Sequence, residues 1–270
     1  MWLCLPIDGF LVKGSEMQAT FSDLKGKHVF ITGGGSGIGA ALTEGFLAQG
    51  AHVSFVQRTD AAEFVDAMEA KTGLKPIFYA CDLACIETLT RVMQHAIDRS
   101  GPIDVLVNNA GNDVRHTLDS LSVEEWDNNH AVNLRPYFFT SQFVAPFMAD
   151  NGGGAIINYS SASYLMGNAG YPAYVAANAA ITGLTRALAR ELGPSQIRVN
   201  ALIPGWVLTE KQLREWATPE DLEAHLDKQC LKTHLAPEDM VGGTLFLASS
   251  ISALMTGQVL VIDGGVVVTG

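Results

Sequence analysis

Short, almost wholly apolar runs recur along the chain, with longer amphipathic stretches between them. The runs HVFIT (28–32), HVSFV (52–56), PIFYA (76–80), DVLVN (104–108), AIINYS (155–160), RVNALI (198–203) and QVLVI (258–262) are rich in β-branched residues and mostly apolar throughout. This pattern predicts strands covered on both faces, as in a parallel sheet. The intervening stretches carry apolar residues at helical spacing, as in AALTEGFLAQG after the first run, where Gly50 is placed to end the helix. The best-marked helix starts near Pro172, runs through AYVAANAAITGLTRALAREL and closes at Gly193-Pro194. Strands alternating with helices at this rhythm predict an α/β fold: a single-domain, Rossmann-like, doubly wound sheet of about seven parallel strands with helices on both faces.

Residues 1–22 read as an irregular N-terminal arm and 23–270 as the α/β domain. Between the last two predicted strands, the charged and poorly strand-like stretch of about 205–237 predicts a helical insertion, suited to a lid over a pocket. The opening MWLCLPIDGFLVKG lacks a basic n-region and is interrupted by Asp8 and Lys13, so it is not read as a signal peptide. No apolar run is long enough to span a bilayer, and a cytoplasmic protein is expected. The chain is 48% hydrophobic and 17% charged, enough for a substantial core, and its formal net charge is −11. That balance argues against nucleic acid or an anionic membrane as partner. Cys4, Cys81, Cys85 and Cys230 fit neither zinc nor disulfide spacing and are expected to be reduced packing residues. No His/Cys/Asp cluster has metal spacing, so no metal is expected.

Candidate chemistry begins at the first predicted strand. In HVFITGGGSGIGAALTEGF, Gly35, Gly37 and Ala40 satisfy G-x-G-x-x-G/A, and Gly33, Gly37 and Gly39 satisfy G-x-x-x-G-x-G. Glycines between a strand and a helix allow a tight turn and let backbone N–H groups approach a dinucleotide pyrophosphate. The turn residues Gly33, Gly35, Ser36, Gly37, Ile38 and Gly39 are therefore candidate cofactor contacts. About twenty positions on, where an acid would select NAD, the chain has Gln57 followed by Arg58. Gln57 does not repel a 2′-phosphate, and Arg58 could pair with one or be a solvated surface residue. NADP or NAD is expected, with NADP favoured.

TGGGSGIG (32–39), CDL (81–83), NNAG (108–111), VN (132–133), SS (160–161), Tyr174 with its helix, RVNALIPG (198–205) and IDGG (262–265) occur in this order. Together they resemble the short-chain dehydrogenase/reductase family over nearly all of residues 25–265. The resemblance implies cofactor contacts at Asp82, Leu83, Asn109, Ala110, Gly111, Pro204, Gly205, Val207 and Thr209, with Asp82 at the adenine and Thr209 at the nicotinamide carboxamide. It also implies a catalytic tetrad of Asn, Ser, Tyr and Lys, which falls on Asn133, Ser161, Tyr174 and position 178. Tyrosine is the general acid/base and serine orients the reacting oxygen; Ser160 is the rival for the serine role.

Position 178 is Asn178 where the family has lysine. A lysine four residues after Tyr174 would share its helix face and favour tyrosinate, whereas asparagine carries no charge. Either a laboratory variant has lost the lysine, or this is a natural paralogue with altered or lost catalysis; strongly reduced turnover near neutral pH is expected in both cases.

Within the family, NNAGNDVRH (108–116), VNLRP (132–136), RALARELGP with IRV, and QCLK (229–232) resemble the sugar 1-dehydrogenases of D-xylose and related aldoses. NDVRH and QCLK are the discriminating pieces. This implies oxidation of an anomeric hydroxyl to a lactone, with Asn112, Asp113, Ser163, Tyr164, Asn168, Tyr171 and Trp206 as candidate substrate contacts. Arg115 and His116 are either part of that site or a surface pair leading into a helix. Two other functions stay open: an NADPH-dependent ketone or 3-oxoacyl reductase, and a non-catalytic dinucleotide sensor. The resemblance further implies a homo-oligomer, dimer or tetramer, assembled through the Tyr174 helix and the last strand.

Overall fold

The computed structural model describes residues 19–268. β1 (His28–Thr32) leads into α1 (Gly37–Ala48), and β2 (His52–Gln57) into α2 (Ala62–Thr72). β3 (Ile77–Ala80), α3 (Ile86–Ser100) and β4 (Val105–Asn108) follow. Two consecutive helices, α4 (Val123–Asn133) and α5 (Arg135–Asp150), precede β5 (Gly154–Tyr159). The one-turn α6 (Ser163–Met166) and the long α7 (Pro172–Leu192) lead to β6 (Ile197–Pro204). α8 (Glu210–Glu215), α9 (Pro219–Lys228) and α10 (Asp239–Ala248) separate β6 from β7 (Val259–Ile262).

The strands form one sheet in the order β3-β2-β1-β4-β5-β6-β7, and every neighbouring pair is parallel. All seven apolar runs become strands, with ends displaced by no more than a residue or so, where fraying makes boundaries soft. Alternate residues of each strand serve opposite cores. Val29, Ile31, Val105 and Val107 pack with Leu42 and Phe46 of α1 and Met240 and Leu245 of α10. Phe30, Leu106 and Ile156 pack with Leu89 and Met93 of α3, Val144 and Met148 of α5, and Leu188 of α7. Burial on both faces explains why the strand sequences show no polar alternation.

Residues 1–18 of the expected arm lie outside the described residues. From Phe21 the chain is part of the fold: its N–H donates to Gln49 Oε1 at 2.7 Å, and Leu24 is buried. Asp23 accepts from the Ser249 hydroxyl at 2.9 Å and the Ser250 N–H at 2.7 Å, which ties this stretch to the end of α10. The cysteine expectation needs correction. Cys81 is buried, which pushes its thiol up to about 11, but Cys85 and Cys230 are free and exposed rather than packed; Cys4 lies outside the described residues. Among the described residues no helix is long and apolar enough to cross a membrane, and no group of three His, Cys, Asp or Glu could hold a metal.

The expected insertion contains α8 and α9, started by the side-chain caps Thr209 and Thr218, which accept from the N–H groups of Gln212 and Asp221.

One buried polar file interrupts the apolar interior. The Thr140 hydroxyl lies 2.7 Å from Asn108 Oδ1, Asn108 Nδ2 donates to Asn158 Oδ1 at 2.9 Å, and Asn158 Nδ2 donates to Thr185 Oγ1 at 3.0 Å. All four residues are completely buried. The file ties α5 through β4 and β5 to α7. Thr185→Val keeps the shape but leaves Asn158 Nδ2 without an acceptor, a loss of about 1–3 kcal/mol expected in urea unfolding.

Candidate active site

The glycine turn is built by close contacts at the end of β1. Gly33 and Gly37 have φ of 72° and 52°, a region that disfavours side chains. A Cβ at Gly39 would overlap the carbonyl oxygen of Gly33, so α1 can seat directly on the strand end only with glycine there. Ser36, the N-cap of α1, makes no side-chain cap hydrogen bond, so the first turn of the helix faces the groove uncapped by protein. The Gly35 N–H donates to Gln57 Oε1 at 3.0 Å, and Gln57 Nε2 donates to the Thr59 carbonyl at 3.1 Å. Gln57 thus braces the turn, while Arg58 beside it is exposed and makes no ion pair among the described residues.

The NNAG segment holds the neighbouring strand ends. Thr32 Oγ1 accepts from the N–H groups of Asn109 and Ala110 at 3.0 and 3.1 Å, and Asn109 Nδ2 donates to the Thr32 carbonyl at 3.0 Å. Asp82 is exposed, its Oδ1 taking the Ala84 N–H at 3.0 Å, whereas the Leu83 side chain packs into the core beneath α3. Asn133 is buried at the break between α4 and α5. Its Oδ1 accepts the Asn112 N–H at 2.7 Å, and its Nδ2 donates to the Asn112 carbonyl at 3.0 Å.

Past the end of β5 the two serines separate. The Ser160 hydroxyl is committed to the carbonyl of Asn178 at 2.9 Å, and Ser161 is the one that hydrogen-bonds the Tyr174 phenol. Burial pushes that phenol up to about 12; the Asp113 carboxylate and Tyr171 add to the rise, and the Ser161 and Asn178 hydrogen bonds only partly oppose it. Asn178 is buried, and its Nδ2 donates to the carbonyl of Tyr174 at 2.9 Å, along its own helix.

Tyr174, Ser161, Asn178 and Asn133 line a cavity of about 700 Å³. Ile38, Asn109, Gly111 and Thr209 line it on the side of the glycine turn, with Pro204, Gly205 and Val207 from the end of β6. Of the expected substrate contacts, Asp113, Ser163, Asn168, Tyr171 and Trp206 reach the cavity. Tyr164 and Asn112 do not. On the single turn of α6, Ser163 and Met166 share the inward face, so Tyr164 points elsewhere. Asn112 spends its backbone on Asn133 and its Oδ1 on Lys211 Nζ at 3.2 Å.

Several lining residues were not singled out from the sequence. Lys211 Nζ meets Asp113 Oδ1 at 2.7 Å and Gln212 Nε2 meets Asp113 Oδ2 at 2.8 Å, tying α8 to the loop after β4. Burial works to raise the Asp113 carboxyl, but these two bonds outweigh it and hold it below the usual carboxylate range. The Trp206 indole donates to Gln212 Oε1 at 2.9 Å, and Trp206 packs edge-on to His225 of α9. Arg115 lines the cavity with its guanidinium over the Tyr171 ring. His116 accepts the Ala173 N–H at Nε2, 3.2 Å away, and its backbone N–H donates to the Gly170 carbonyl at 2.8 Å. It thereby caps the first turn of α7, so neither residue is a bystander pair at the surface. The bonds from Asp113 to Lys211 and Gln212 and from His116 to Ala173 join positions 57 to 99 residues apart, for which local patterning carries no signal.

Residues 33–267 match the family described as enoyl-(acyl carrier protein) reductase. A probable galactose dehydrogenase of Rhizobium meliloti is 46% identical over 251 residues, 92% of this chain and 98% of its own. The D-xylose 1-dehydrogenase of Caulobacter vibrioides is also 46% identical, over 249 residues, 92% of this chain and 98% of its own. The crystal structure of L-sorbose reductase from Gluconobacter frateurii, complexed with NADPH and L-sorbose, superposes with a TM-score of 0.86 at 29% identity, covering 93% of this chain and 100% of that one. Likeness of this extent, carried on the same fold, makes the chain a member of the short-chain dehydrogenase/reductase family of oxidoreductases.

Proposed function

We propose that the chain oxidises the anomeric hydroxyl of an aldose to the lactone, with Tyr174 taking the hydroxyl proton, and that Asn178 makes this turnover slow near neutral pH. The observation that carries it is the meeting of the Ser161 hydroxyl and the Tyr174 phenol in a cavity walled by polar side chains. Ser163 Oγ is buried there with no hydrogen-bond partner, as suits a ligand rich in hydroxyls. The sugar dehydrogenases among the relatives support the same substrate class.

The glycine turn fits a dinucleotide: the first turn of α1 lacks a side-chain cap, and a Cβ at Gly35 would lie 2.5 Å from Gln57 Oε1. When bound, a nicotinamide cofactor supplies the hydride acceptor. Gly33 to Gly39 would hold its pyrophosphate, and Asn109, Ala110, Gly111, Pro204, Gly205, Val207 and Thr209 its nicotinamide half. Gln57, Arg58, Asp82 and the Leu83 backbone would hold the adenosine half. NADP is the cofactor we assign, with Arg58 free to meet the 2′-phosphate; the NADPH in L-sorbose reductase supports this.

The chain's own work is to bind, orient and move one proton. Ser161 fixes the reacting oxygen against the phenol, and α8 and α9, latched at Asp113, serve as a lid that excludes water. With the phenol pushed up to about 12, tyrosinate is much scarcer at pH 7 than it is for an ordinary tyrosine. A positive charge at position 178 would lower the phenol, so the base form would appear at lower pH.

Asn178→Lys is therefore expected to raise aldose oxidation at pH 7 by about 10²-fold or more, and to move the rising limb of the pH–rate profile downward. An unchanged rate for every aldose, with NADP still bound tightly, would identify a dinucleotide sensor instead; reduction of a 3-oxoacyl thioester without aldose oxidation would identify a ketone reductase. Arg58→Ala should lower the ratio of kcat/KM for NADP to that for NAD by about 10- to 100-fold, measured with the same sugar.

A further inference from the structure

Where the 112–116 loop meets α8 and α9, two buried polar atoms of the cavity wall have no hydrogen-bond partner, and they stand beside the Arg115 guanidinium. The Arg115 guanidinium carbon lies 3.8 Å from the Tyr171 ring centroid and 5.0 Å from that of Trp216, so aromatic rings cover its faces. Its edge donors make no hydrogen bond among the described residues. The carboxylate beside it, Asp113, stands 3.9 Å away and is already held by Lys211 and Gln212. Trp216 Nε1 and His225 Nε2 are buried without a hydrogen-bond partner. All three residues line the cavity that holds Tyr174. Burial, with Lys228 and His234 adding to it, holds His225 below the usual imidazole range, so at neutral pH its ring offers one donor and one acceptor.

Buried polar groups are ordinarily satisfied, and two unsatisfied ones beside a half-buried guanidinium whose edge donors make no hydrogen bond point to a ligand that satisfies them. A guanidinium edge, an indole N–H and a neutral imidazole between aromatic faces match the hydroxyls and C–H face of a sugar. Resting on the sugar reading of the site, we infer that Arg115, Trp216 and His225 form a distal subsite for the aldose hydroxyls remote from the anomeric carbon, which makes a hexose a better substrate than a pentose. The relatives named for galactose and for D-xylose are equally similar to this chain, so likeness alone does not choose between the two lengths.

D-galactose and L-arabinose share their ring configuration and differ in the exocyclic hydroxymethyl group, as do D-glucose and D-xylose. The test measures kcat/KM for both pairs, and sugar binding by calorimetry on the NADP-loaded protein. The native protein should favour the hexose of each pair by about tenfold or more. Trp216→Phe and His225→Phe keep the ring packing and delete one polar group each; each should reduce the preference about three- to tenfold, through KM rather than kcat. A native protein without hexose preference, or a preference that survives both substitutions, overturns the subsite. Failure of every aldose to bind, in the native protein and in Asn178→Lys alike, overturns the sugar reading itself.

Discussion

A parallel sheet buried on both faces leaves only the ends of its strands open to polar chemistry, and the file from Thr140 to Thr185 shapes the interior just beneath that end. Its amides and hydroxyls bond one to the next, so α5 and α7 are fixed against β4 and β5 by directional bonds as well as by apolar packing. Two residues past Asn158, just beyond the end of β5, the Ser160 hydroxyl holds the Asn178 carbonyl, gripping α7 again two turns away. Tyr174 lies one turn beyond that grip, on the same side of the helix. The depth at which the phenol enters the cavity thus follows from polar bonds made inside the core, and Ser161 follows from the same strand.

Position and proton affinity are set by different things. The scaffold that places Tyr174 is complete, but the groups around the phenol are a carboxylate, a second phenol and two neutral hydrogen-bonding side chains. None of them favours the anion by charge. Of the cations lining the cavity, Lys211 is paired with Asp113 and Arg115 lies against two aromatic rings, and neither these nor Lys228 is among the groups that shift the phenol. The glycine turn and the Tyr174 phenol stand at different parts of the same groove, so the shape of the first and the proton affinity of the second are set independently.

Much of this was legible from local pattern. Runs such as HVFIT and DVLVN announce strands because burial on both faces leaves no room for polar alternation, and Gly33 to Gly39 announce a turn that only glycine can make. The departure at Asn178 could be read by counting four residues from Tyr174. What could not be read depends on which way a side chain turns or on what a distant segment brings near it. Tyr164 sits in the right loop but on the wrong side of a one-turn helix. Cys85 and Cys230 have the composition of core residues and lie exposed. The latch from Lys211 and Gln212 to Asp113 spans nearly a hundred residues, and only the closed fold shows it.

His116 gives this arrangement a further property. By accepting the Ala173 N–H it makes the loop that supplies Asp113 and Arg115 a structural part of the helix that carries Tyr174. The loop and the helix therefore share a hinge pin. A substitution in residues 112–116 that displaces the imidazole will also shift the first turn of α7 and with it Tyr174, so this loop and this helix change together or keep His116 as a fixed point.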